Sequence, residues 1–244
     1  MGKLDIVQNP NDSKVGIKLD ANSQNIILNN ANGEERIRVG SWSGGFNPIL
    51  LGVKLKNANG IDVVELGSSK PFAQPPIPPG GGYLKLKDVN NKATVTLNGD
   101  TGDIILANAD CAEEFDTSSK STEIEPGTVM AIDNDGKLHV SSKEYDKRVA
   151  GVISGAGDCK PGIVLDKKKS NQTRVPLAMV GKVYCKVDAN YSQIKVGDML
   201  TTSSTRGHAM KATNRSKAFG AVIGKALSAI KSGKGLIPIL IALQ

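Results

Sequence analysis

The side chains best suited to chemistry in this sequence are a run of carboxylates at Asp110, Glu113 and Glu114, three cysteines and two histidines. The run Asp110-Cys111-Ala112-Glu113-Glu114-Phe115 places its acids within five residues. Like charges held together raise one pKa, which is how a carboxyl becomes a general acid near neutral pH. Cys111 sits among them, and neighbouring acids raise a thiol pKa and so weaken it as a nucleophile. Cys111, Cys159 and Cys185 are widely spaced and odd in number, which gives neither a disulfide framework nor a C-x-x-C metal clamp. They read as unpaired thiols made in a reducing compartment. His139 and His208 lie far apart in the chain. Asp133-Asn134-Asp135 opens like a calcium loop, but Gly136 follows too soon and the rest of the pattern is missing. Asp198, in Val196-Gly197-Asp198-Met199-Leu200, reads as a turn residue that bonds its own backbone. The sequence has no G-x-x-x-x-G-K phosphate loop and no Gly-x-Ser-x-Gly elbow. The expectation is a protein that is not an enzyme, with no cofactor and no metal.

A second set of residues suits recognition. Trp42 and Phe46 lie in the glycine-rich stretch Gly40-Ser41-Trp42-Ser43-Gly44-Gly45-Phe46, and Arg206 and His208 flank Gly207. Loops carried on a rigid scaffold are where binding residues concentrate. An exposed aromatic there can stack on a sugar ring, or it can wedge into a subunit contact. Trp42, Phe46, Arg206 and His208 are therefore the candidate contacts for a surface glycan or other receptor.

The elements that must position these residues are short strands. Only 4% of the 244 residues are aromatic, whereas there are 27 Gly and 11 Pro. A core must therefore close with Val, Ile, Leu and Ala, between many tight turns. No apolar run approaches the roughly 18 residues of a membrane helix, so no membrane insertion is expected. The start, Met1-Gly2-Lys3-Leu4-Asp5-Ile6, lacks the apolar stretch of a signal peptide, so synthesis in the cytoplasm without one is expected. The net charge of +7 is uneven. Residues 1–109 hold 11 Lys/Arg and 10 Asp/Glu, residues 110–146 hold 3 and 10, and residues 147–244 hold 17 and 4. The acidic stretch is expected to lie against the basic part, within or between subunits. With few aromatics to stack on bases and no nucleic-acid motif, nucleic acid is not the expected partner.

The first 109 residues repeat. Leu28-Asn29-Asn30-Ala31-Asn32-Gly33 precedes Ile37-Arg38-Val39-Gly40, Leu55-Lys56-Asn57-Ala58-Asn59-Gly60 precedes Val64-Glu65-Leu66-Gly67, and Leu86-Lys87-Asp88-Val89-Asn90-Asn91 precedes Val95-Thr96-Leu97-Asn98. A second similarity links Ile17–Leu19 and Ile26–Leu28 with Val95–Leu97 and Ile104–Leu106. Asn-Gly and Asn-Asn tolerate the positive φ of tight turns. The alternation on either side places one strand face inward and the other in water. Two arrangements remain open, an ordinary small β-sandwich and a fibrous β-structure in which each chain supplies strands to a shared narrow core. Small aliphatics, scarce aromatics and polar turns favour the second. Pro71 to Gly82 cannot donate to a ladder throughout, which marks a loop or hinge at about 68–82.

Residues 110–244 read as a compact β domain. Turn-then-strand units begin at Glu125-Pro126-Gly127, Lys160-Pro161-Gly162 and Lys195-Val196-Gly197, and Asn134-Asp135-Gly136-Lys137 is a hairpin turn. Apolar strands are expected over 149–153, 175–187, 219–223 and 236–243. The last is nearly all apolar and should be central or buried at an interface. No segment sustains a helical period.

The run Gly99-Asp100-Thr101-Gly102-Asp103-Ile104-Ile105-Leu106, followed by Asp110 to Phe115 and by Glu125-Pro126-Gly127-Thr128-Val129, resembles the ends of phage tail-fibre, tail-spike and neck-appendage proteins and related bacterial proteins. The Asp-x-Ala-Glu-x-Phe element resembles the start of the glutamic-peptidase-like chaperone domain of some neck appendages, which assists trimerisation and in some members then cuts itself off. By that resemblance Glu113 would be the catalytic glutamate, with Asp110 or Glu114 nearby. Cys111 departs from the pattern, in which an aromatic commonly follows the Asp. Arg174-Val175-Pro176-Leu177-Ala178, Val196–Leu200 and Gly220–Ala226 are similar to small β-rich phage capsid decoration proteins.

The resulting expectation is an all-β homotrimer. An elongated, repeat-built stalk at 1–109 precedes a compact β-barrel or sandwich head at 110–244. Its role would be a structural attachment element of a virion, phage-like particle or extracellular fibre, partnered by its own copies and by a glycan or receptor. The alternatives are an autoproteolytic intramolecular chaperone and a monomeric carbohydrate-binding module.

Overall fold

The computed structural model describes residues 3–7, 15–20, 25–42, 50–68, 81–108, 110–169 and 172–242. The chain divides into two compact units, Met1–Ala107 and Asn108–Gln244, and both are built from strands.

In the first unit the strands are β1 (Lys3–Val7), β2 (Val15–Asp20), β3 (Asn25–Asn29), β4 (Glu35–Trp42), β5 (Leu50–Lys56), β6 (Asp62–Ser68), β7 (Gly82–Lys87), β8 (Ala93–Asn98) and β9 (Ile104–Leu106). Each pairs antiparallel with its neighbours in sequence, so the nine form one meandering sheet in the order β1 to β9. The repeat explains the turns. Asn30 Oδ1 accepts from the Asn32 and Glu34 amides at 3.0 and 2.9 Å. Asn57 Oδ1 does the same for Asn59 and Ile61, and Asp88 Oδ1 for Asn90 and Lys92. In each turn the residue at positive φ is the last of the six, Gly33 at 79°, Gly60 at 78° and Asn91 at 64°. This is a side-chain-braced hairpin turn whose final residue must be left-handed, which Gly and Asn tolerate best. Asp133 braces the β-hairpin turn of the second unit in the same way, accepting from the Asp135 and Lys137 amides.

The register turns the alternation of these strands into rows. One row across the sheet is Ile17, Leu28, Ile37, Leu55, Val64, Leu86, Val95 and Leu106. Two residues along each strand runs a second, Leu19, Ile26, Val39, Val53, Leu66, Leu84, Leu97 and Ile104. Leu4 and Ile6 of β1 hold the next register positions, opposite Leu19 and Ile17. Because strand residues alternate between faces, both rows share one face. The other face carries Lys18, Ile27, Arg38, Lys54, Glu65, Lys85, Thr96 and Ile105 in register. Gly40, Gly52 and Gly67 pair in succession across this face, and an added Cβ at Gly52 would stand 1.9 Å from the Leu66 carbonyl oxygen. Only glycine fits there.

The second unit contains β10 (Asp110–Asp116), a 3-10 turn at Ser121–Glu123, β11 (Val129–Ile132), β12 (Leu138–Val140), β13 (Val149–Ile153), β14 (Pro161–Leu165), β15 (Arg174–Asp188), β16 (Met199–Thr202), β17 (Ala209–Lys211), a one-turn helix α1 (Arg215–Ala218), β18 (Val222–Ala226) and β19 (Lys234–Ile241). The 15-residue strand β15 organises it. Its second half pairs with β19 and β17, and the ring β15–β17–β16–β18–β19 closes into a five-stranded barrel. Only β15 and β17 run parallel in that ring. The first half of β15 pairs with β10 and β13, which extend the sheet to β14 and to β11–β12.

The barrel interior is aliphatic, as the scarcity of aromatics requires. Val183, Cys185, Val187, Ile194, Leu200, Ile223 and Ile239 are fully buried in one cluster, and Met130, Leu138 and Leu177 form the heart of a second. Each such side chain contributes about 1.5–3 kcal/mol by leaving water. Two local expectations are revised. The strand expected over 219–223 begins only at Val222, because Asn214 caps α1 by accepting from the Lys217 amide at 3.1 Å. Phe219 follows that helix and is 84% exposed. The closing strand is two-faced, with Ile237, Ile239 and Ile241 inside the barrel and Leu236 and Leu240 more than 40% exposed.

Replacing Leu200, which is fully buried in the barrel, by Ala is expected to cost about 2–5 kcal/mol of unfolding free energy. A lowered midpoint for the second unit in calorimetry would show this, and an unchanged midpoint would contradict the assigned core.

Candidate functional site

The carboxylates of β10 are separated by strand geometry. Asp110 and Ala112 are buried, whereas Cys111 and Glu113 on the alternate face are half-buried. Asp110 lies between Pro161 of β14 and Gly181 of β15. Its Oδ2 accepts a hydrogen bond from the Ser154 hydroxyl at 2.6 Å, and its buried Oδ1 has no hydrogen-bond partner. Burial pushes the Asp110 carboxyl above its ordinary range, and the Ser154 bond offsets that in part. Glu114 shares the Asp110 side of the strand and faces Arg174, Nε to Oε2 3.7 Å. Glu113 stands opposite Leu165 and Leu177. The three acids thus occupy three different environments. Histidine joins none of them, since His139 Nδ1 lies 3.1 Å from the Val140 carbonyl and His208 Nδ1 lies 2.7 Å from that of Arg206. Among the described residues no group of three or more His, Cys, Asp or Glu is placed to hold a metal ion. Cys185 is fully buried, which pushes its thiol up to about 12, far from a reactive thiolate.

The residues singled out for recognition fall in both units. Trp42 ends β4 opposite Leu50, and Phe46 lies outside the described residues. The Pro-rich stretch also falls outside them, apart from Gly81 and Gly82. Arg206 and His208 sit on the loop between β16 and β17, where the Ser203 hydroxyl donates to the Thr205 and His208 carbonyls. Arg206 is committed to Glu123, Nη2 to Oε2 2.5 Å. Gly207 between them is buried against Thr128 and Val140. Asp198 is a turn brace, its Oδ2 accepting from the Lys195 amide at 2.7 Å.

The charge asymmetry of the second unit is met in part internally. Acids from the 110–146 stretch pair with bases from 147–244: Asp116 with Arg174 at 2.9 Å, Glu125 with Lys186 at 2.7 Å and Glu123 with Arg206. Glu114 also accepts from Arg174 through its carbonyl. The Glu125–Lys186 and Glu123–Arg206 pairs are largely exposed and of modest worth, whereas the Arg174 side chain is 8% exposed.

The feature of the structure with the largest unmet physical demand is the first sheet. Among the residues of that unit whose burial is described, 16–19, 25–40, 52–68 and 81–107, no aliphatic side chain is buried, and the buried residues are Asn25 and Glu65. Leu66 is 52% exposed and Ile104 71%, with Ile26, Val39, Leu86 and Leu97 close to 40%. The opposite face is bound together by ion pairs. Lys87 reaches Glu65 at 2.6 Å, Lys54 reaches Asp62 at 2.9 Å and Glu65 at 3.4 Å, Lys56 reaches Asp62 at 2.7 Å, and Arg38 reaches Glu35 at 2.5 Å. Burial works to raise the Glu65 and Asp62 carboxyls, but the lysines win and hold both below their ordinary values. Tyr83 lies under Lys85, 4.7 Å from nitrogen to ring centroid, and burial beside Glu65 raises its phenol. The repeat signalled the turns of this unit. The rows and the ion-pair face became visible only once the strand register was known.

No protein-family model matches the chain, and no curated protein matches it. Among solved structures, the crystal structure of the pre-mature bacteriophage phi29 gene product 12 is similar over 62% of this chain and 25% of that one, at 15% sequence identity and a TM-score of 0.38. The chain spans about a quarter of the length of that protein.

Because burial raises the Asp110 pKa, its contribution to stability is fully present below its ordinary value of 3.8 and is lost as pH rises through the raised value. Asp110→Asn, which mimics the neutral acid, is expected to gain stability relative to the parent between pH 3 and pH 7. Denaturant titrations across that range measure it, and parallel pH profiles would count against a raised Asp110.

Proposed function

We propose that the chain is a structural element of a fibre-like assembly, a homotrimer whose first unit forms the shaft and whose second unit forms a compact head. The observation that carries this is the contrast between the two units. The head buries its own aliphatics in a closed barrel, whereas the shaft sheet presents its aliphatics to solvent. A sheet with one such face is not stable as a single layer and needs a second layer. The short motifs that resemble phage tail-fibre and neck-appendage proteins support a location on a virion or phage-like particle. Attachment to a surface glycan or receptor is part of the same role, with Trp42, Phe46, Arg206 and His208 as its candidate contacts. Arg206 serves less well in this than the sequence promised, since Glu123 already engages it.

Self-cleavage is the second reading, supported by the resemblance around Glu113. The separation of Asp110 from Glu113 across the strand weighs against a shared carboxylate pair.

Sedimentation of the purified full chain is expected to give the mass of three copies, and a monomer at micromolar concentration would favour the carbohydrate-binding-module alternative. Intact-mass spectrometry is expected to show one full-length species, unchanged in Glu113→Ala. Fragments that appear with time in the parent and not in Glu113→Ala would establish self-cleavage instead.

A further inference from the structure

We infer that the two aliphatic rows of the β1–β9 sheet are the surface through which copies of this chain join, each sheet laying this face against the same face of its siblings. This rests on the proposed fibre role and assigns that role to one surface and one partner.

The face is uniform. Along eight strands every position of both rows is Val, Leu or Ile, with no charge inside either row. A partner therefore needs to offer only a matching apolar ridge, which a second copy does by construction. The reverse face cannot take this role without breaking the ion pairs around Glu65. The demand is also permanent, because none of the sixteen side chains in the two rows is buried within a single copy. A cover required by every chain is best met by a partner made in the same number, which its own copies are.

The area agrees with this. Eight strands spaced about 4.8 Å apart, two residues deep at about 7 Å each, give a face of roughly 500 Å². Two such faces bury about 1,000 Å² between them, at the size a specific contact between two partners is expected to reach. Exposed apolar patches of several hundred Å² mark interaction sites.

Leu66→Lys and Leu97→Lys test the assignment. Both positions are well exposed within a single copy, 52% and 40%, so a lysine there leaves the isolated subunit intact. Thr96→Lys places the same charge on the opposite face as a control. In sedimentation, each leucine variant is expected to dissociate at least about tenfold more readily than the parent, since a charge would be buried in the contact. Thr96→Lys should keep the parental mass, and circular dichroism should show the head folded in all three. If the parent is oligomeric and both leucine variants retain its mass, the face is not the interface, although the fibre role survives. If the parent itself is monomeric, the fibre role fails with it. If a monomeric parent co-floats with anionic lipid vesicles and Leu66→Lys does not, the occupant is a lipid surface and the inference is overturned.

Discussion

A single β-layer cannot bury either of its faces by itself, and both units of this protein are answers to that constraint. In the second unit the sheet closes on itself. β15 is long enough to serve two neighbourhoods, so its later half completes a barrel around Val183, Cys185 and Val187 while its earlier half supports β10 and β13. In the first unit the sheet stays open and flat in its connectivity, with each strand bonded only to its sequence neighbours. The pleat alone sorts most of its aliphatics to one side, with Ile27 and Ile105 on the other.

The polar side of that sheet inverts the usual order. Glu65 is buried whereas its neighbour Leu66 is half exposed. An ion pair in such a place returns little net stability, because desolvation offsets much of the attraction. It does penalise slippage. A shift of one residue would bring Leu66 among Lys54, Asp62 and Lys87 and move Glu65 to the aliphatic side. The glycine row Gly40–Gly52–Gly67 adds a steric lock, since the close approach at Gly52 admits no other residue. Register in this unit is therefore fixed by what the wrong alignment would break, without any contribution from a filled interior.

The turns were legible in the sequence because they rest on local chemistry. Asn30, Asn57 and Asp88 brace their own loops within four residues, and that leaves a pattern any self-alignment reveals. Strand parity was also local, but its consequence for Asp110 and Glu113 was easily missed, since acids close in sequence look like a cluster until a strand sends them to opposite faces. Phe219 resembled a strand residue by type, and a cap at Asn214 five positions earlier decided otherwise. The ion-pair face was illegible for a different reason. Glu65 meets Lys87 across 22 residues, and only strand pairing brings them within 2.6 Å.

The braced turns of β3–β4, β5–β6 and β7–β8 leave and re-enter the sheet at the same end, because each joins an outgoing strand to a returning one. Any such hairpin can be duplicated or deleted without reversing the direction of its neighbours or exchanging the two faces. The array therefore has a natural unit of growth, one hairpin at a time, and its width can drift through evolution while its chemistry on either side stays the same.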